Sequence, residues 1–66
     1  MNMTSVLEML RNNVEGTTKE NNKIWGMVYL ENVGNSKKFA GTLSALSKCG
    51  LYRKIDSDFG EVLLTD

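Results

Sequence analysis

"IWGMVYLENV", residues 24–33, is the stretch on which the fold turns. Its β-branched and aromatic residues favour a strand. Apolar side chains surround the segment on either template, so periodicity does not choose between strand and helix. The boundaries lean the other way. Asn22 stands where a helix N-cap belongs, and Gly34 stands where a left-handed C′ residue ends a helix. These signals predict a helix over 24–33. Trp25 and Tyr29 then read most simply as core residues, with a base-stacking platform as the sharper alternative.

Working outward, residues 36–49 carry the clearest helical pattern. Ser36 is a good N-cap, Phe39, Leu43 and Leu46 recur at i, i+4 and i+7, and Gly50 stands at the C′ position with Leu51 after it. Upstream, SVLEMLRNNV (residues 5–14) predicts a helix. Ser5 and Glu8 have the spacing of a capping box, Val6, Leu7, Leu10 and Val14 form one stripe, and Gly16 is its stop. Residues 15–23 read as a polar loop. Downstream, residues 51–55 and 61–65 read as strands joined through Asp56-Ser57-Asp58-Phe59-Gly60, a hairpin. In that register Leu51, Ile55, Val62 and Leu64 face the core. Arg53 also points inward, so it must snorkel or sit at a bulge. The predicted architecture is α+β: a winged helix-turn-helix, three helices followed by a C-terminal β-hairpin, in a single domain over residues 1–66.

Length and composition narrow the function. A chain of 66 residues makes one domain with a thin core. One cysteine and no histidine leave neither a disulfide framework nor a zinc cluster, so self-association into a homodimer is the remaining common way to add buried area. A single thiol fits a reducing cytosol, no apolar run reaches the length of a membrane span, and the start of the chain lacks the regions of a signal peptide. The expectation is a soluble cytoplasmic protein. Enzyme chemistry finds little support. There is no histidine base and no glycine-rich phosphate loop, and Cys49 has no imidazole to activate it. Cys49 reads as a small buried packing residue, and no cofactor is implied.

The zero net charge conceals an asymmetry: residues 1–31 sum to −1, residues 32–55 to +5 and residues 56–66 to −4. Within the basic window, Lys37, Gly41, Ser44 and Lys48 fall on one narrow arc, opposite Phe39, Leu43 and Leu46. Such a surface suits a DNA major groove. Small Gly41 and Ser44 allow close approach, Lys37 and Lys48 reach phosphates, and Ser36 with the free N–H groups of the first turn can contact another.

"GTLSALSKCGLYRKID…GEVLLTD" resembles the end of winged helix-turn-helix regulators, including the multiple-antibiotic-resistance regulator type. The similarity rests on Leu46, Lys48, Gly50, Leu51, Leu64 and Thr65. It implies that the helix before Lys48 enters the major groove of double-stranded DNA, with Lys37, Lys38, Gly41, Thr42, Ser44, Ala45 and Lys48 as contact positions. It also implies a wing on the adjacent backbone, to which the basic window adds Arg53 and Lys54. The expected function is a small transcriptional regulator, and the size suits a phage or mobile-element protein. Asp56 and Asp58 at the wing tip repel phosphate. They keep a second reading open: a protein-interaction adaptor contacting its partner through Phe59 and the Trp25–Tyr29 region.

Overall fold

The Asn21–Asn22 pair determines what the ambiguous stretch becomes. In the computed structural model, which describes residues 2–34 and 37–65, both asparagines have positive φ, 52° and 67°. Asparagine tolerates this left-handed region, and two such residues in succession make the tight hairpin turn whose twist matches its strands. The chain therefore reverses. Thr17–Glu20 (β1) pairs antiparallel with Lys23–Tyr29 (β2), with Thr17 opposite Gly26 and Glu20 opposite Lys23. The helix expected over 24–33 is thus a strand, and the expected loop over 15–23 contains its partner. Asn22 is a turn residue and not a cap. A single 3-10 turn, Leu30–Asn32, is the helical remnant, and Gly34 (φ 128°) closes it by donating its N–H to the Leu30 carbonyl at 3.0 Å.

Two α-helices and two further strands complete the described residues: Met3–Asn12 (α1), Lys37–Lys48 (α2), Tyr52–Lys54 (β3) and Phe59–Leu63 (β4). The strands form one antiparallel sheet in the order β1-β2-β4-β3. The winged helix-turn-helix is therefore overturned. The architecture is α+β, but the described residues hold two α-helices, and the terminal hairpin belongs to a four-stranded sheet. Each helix is followed by a hairpin, and the second strands of the two hairpins meet at the sheet centre.

The helix ends show which local signals operate. Asn2 caps α1, its side-chain oxygen accepting the Ser5 N–H at 2.7 Å, so the helix begins about one turn before the expected Ser5 cap. It ends at Asn12, ahead of Gly16. α2 follows its expected span. Gly50 has φ 77°, its N–H reaches the Ser47 carbonyl, and the Leu51 N–H reaches the Leu46 carbonyl at 3.0 Å. That paired closure is a Schellman motif. Ser36 lies outside the described residues.

Val6 and Leu10 of α1, Phe39 and Leu46 of α2, Val28, Tyr52 and Val62 form one buried cluster, so both helices cover the same face of the sheet. Strand β3 runs one residue out of phase with the expectation. Tyr52 faces the helices opposite Val62, its ring lying where a side chain on Gly60 would stand. Arg53 therefore points to the other face, and Ile55 is 49% exposed. Leu51 and Leu64 still pack on the core from just outside the strands. The bulky Tyr52 sets the phase, because burying its ring removes more apolar area from water than burying Ile55. Cys49, expected to be buried, is exposed.

Candidate interaction surface

Alternation along the central strands sends Trp25, Met27 and Tyr29 of β2, with Phe59, Glu61 and Leu63 of β4, to the face away from the helices. Pairing sets Trp25 opposite Leu63, Met27 opposite Glu61 and Tyr29 opposite Phe59. None of these side chains joins the helix-side cluster. Among the described residues, no helix covers this face.

Its two halves differ. Trp25 and Leu63 are only 8% and 5% exposed. The Arg53 guanidinium lies 4.2 Å from the centre of a Trp25 ring, giving a cation–π contact. Its Nε donates to Glu61 Oε1 at 2.8 Å and its terminal nitrogen to Glu20 Oε2 at 2.9 Å. Arg53 thus reaches from β3 at one edge of the sheet to β1 at the other. The hydrogen bond and charge of Arg53 hold the Glu20 carboxyl below the usual carboxylate range, and the hydrogen bond to Glu20 is foremost in raising the guanidinium's own value. In the other half Met27, Tyr29 and Phe59 remain half-buried. The Tyr29 and Phe59 rings pack against each other, 5.9 Å between centres and tilted by 58°.

Beside this pair is a cleft of about 360 Å³ lined by Tyr29, Leu30, Glu31, Ser57 and Asp58. Its walls come from the 3-10 turn and the β3–β4 turn, which the Leu30 N–H joins by donating to the Asp58 carbonyl at 2.9 Å. Glu31 and Asp58 are exposed, and no lysine or arginine lines the cleft among the described residues. One aromatic and two acidic residues thus line it.

The structure divides the residues expected to contact DNA. Lys37, Lys38, Gly41, Ser44 and Lys48 are exposed on α2, whereas Thr42 and Ala45 are half-buried. The Thr42 hydroxyl turns back to the Lys38 carbonyl at 3.0 Å. Lys54 lines a groove of about 370 Å³ with Ser44 and Ser47 of α2 and with Ser57, over a floor that includes Leu43 and Tyr52. Arg53 is parted from this group: it lies on the opposite face of the sheet, paired with Glu20 and Glu61. Glu20, Glu31 and Glu61 were not among the candidate residues. Arg53, a charge between Tyr52 and Lys54, marks the outer phase of its strand and so points to Glu61 opposite it; no sequence signal marks Glu20 or Glu31.

No family model matches the chain, and neither the curated proteins nor the solved structures searched show a significant match. Among the described residues, no helix is long and apolar enough to cross a membrane. No group of His, Cys, Asp and Glu among them is arranged to hold a metal ion.

Proposed function

We propose that this protein is a non-enzymatic protein-interaction module that docks a partner on the helix-free face of its sheet, at Met27, Tyr29 and Phe59. The observation carrying this reading is the Tyr29–Phe59 pair, half-buried on a face that neither helix covers. A paired aromatic surface supplies much contact area at a small cost in side-chain entropy, which is why such residues are enriched in interface cores. The acidic β3–β4 turn fits this reading, since it borders the aromatic pair and repels nucleic-acid phosphate.

The test uses a displayed library of random linear peptides selected on the full chain. Enriched peptides are expected to bind the wild type and to lose binding to Phe59→Ser and to Tyr29→Ser, with melting curves confirming that both variants fold. Peptides indifferent to both substitutions contradict the proposal.

Binding of double-stranded DNA along α2 stands as a second reading. It is favoured by the exposure of Lys37, Lys38 and Lys48 on a helix without acidic residues, with Lys54 across the groove. On that reading Lys37→Ala and Lys48→Ala each reduce the slope of log affinity against log salt by about 1. Equal slopes in the wild type and both variants exclude it.

A further inference from the structure

We infer that the partner presents an arginine beside an apolar anchor, with the guanidinium entering the Glu31–Asp58 cleft and the anchor resting on Tyr29 and Phe59. This deepens the proposed reading and rests on it. At one end of the helix-free face, an aromatic ring and two carboxylates, Trp25 with Glu20 and Glu61, are satisfied by the chain's own Arg53, stacked at 4.2 Å and hydrogen-bonded to both acids. At the other end the same residue types recur: Tyr29, Glu31 and Asp58 line one cleft. No cation of the described chain lines that second set. An acidic lining beside an aromatic residue suits a planar cation that can both stack and donate to carboxylates, which arginine does better than lysine. Tyr29 belongs both to the cleft and to the aromatic pair, so the cation and the apolar anchor occupy adjacent sites.

The peptides selected on the wild-type chain test this directly. They are expected to share an arginine within a few residues of an aromatic or aliphatic side chain. Glu31→Lys and Asp58→Lys, both at exposed positions, are each expected to weaken binding about tenfold or more, and the loss should shrink at high salt. Enriched peptides without a cation, or affinities unchanged by both charge reversals, overturn the inference. If such peptides still depend on Phe59, the docking face stands and only the arginine assignment fails. If they ignore Phe59→Ser and Tyr29→Ser as well, both fail. A second copy of the chain occupying the face in place of any peptide also overturns the inference.

Discussion

Asn22 holds φ at 67° beside Asn21 at 52°, a region that costs an ordinary L-residue about 1–2 kcal/mol. Asn22→Val is therefore expected to lower unfolding free energy by about that amount, while Asn22→Gly is expected to leave it equal or higher. Urea denaturation of the two variants checks this. Tyr52 poses a different residue-scale question. Its hydroxyl is buried with no hydrogen-bond partner among the described residues, and burial pushes its phenol pKa up from the ordinary value of 10.0. Below about pH 10 the phenol is neutral both folded and unfolded, so it confers no pH dependence. Above that, the unfolded chain releases the proton first, the folded state holds more protons, and stability falls as pH rises. Tyr52→Phe removes this contribution along with the unpaired hydroxyl. Its stability should be close to the wild type's near pH 7 and higher at about pH 11. Denaturation at both pH values measures the difference, and a variant that loses stability as steeply as the wild type would contradict the assignment.

At the scale of elements, α2 and β2 show where sequence patterns suffice. One face of α2 is buried and the other is wet, so its stripe, its C-terminal glycine and its span are legible. Leu46 is fully buried in the shared cluster. Leu46→Ala is expected to cost about 2–5 kcal/mol, read as a fall in melting temperature. An unchanged midpoint would place the buried stripe on the wrong side of the helix. β2 is central and apolar on both faces: Ile24 and Val28 turn one way, Trp25, Met27 and Tyr29 the other. Two-sided burial erases the alternation that betrays a half-buried strand. Its partner β1, Thr-Thr-Lys-Glu, is an edge strand with every residue exposed, so it carries no apolar signal at all. The hairpin was legible only through the two asparagines, and these also resemble helix and loop punctuation. Of the candidate face, Phe59 and the Trp25–Tyr29 region stand out in the sequence as aromatics, but Phe59 reads there as a turn residue and 24–33 as a helix, so their shared sheet face does not show. The reach of Arg53 to Glu20 was not, because it joins residues on opposite edges of a sheet whose order the sequence does not state.

For the molecule as a whole, the repeated helix–hairpin order gathers both helices on one side and leaves the other side of the sheet without a helix among the described residues. A domain of this size buries only about 60% of the surface of its unfolded chain, so apolar groups left on one face are expected. Here the chain shields half of that face with its own Arg53, while the Tyr29–Phe59 half, beside the acidic cleft, stays half-exposed among the described residues. The central claim is that this half is the docking surface. Its most direct test is a residue-resolved amide-shift titration of the full chain with a peptide selected from the random library. The account predicts the largest changes at Met27, Tyr29, Glu31, Asp58 and Phe59, with α2 nearly unmoved. Changes concentrated along Lys37–Lys48 with the Tyr29–Phe59 region unmoved would contradict it.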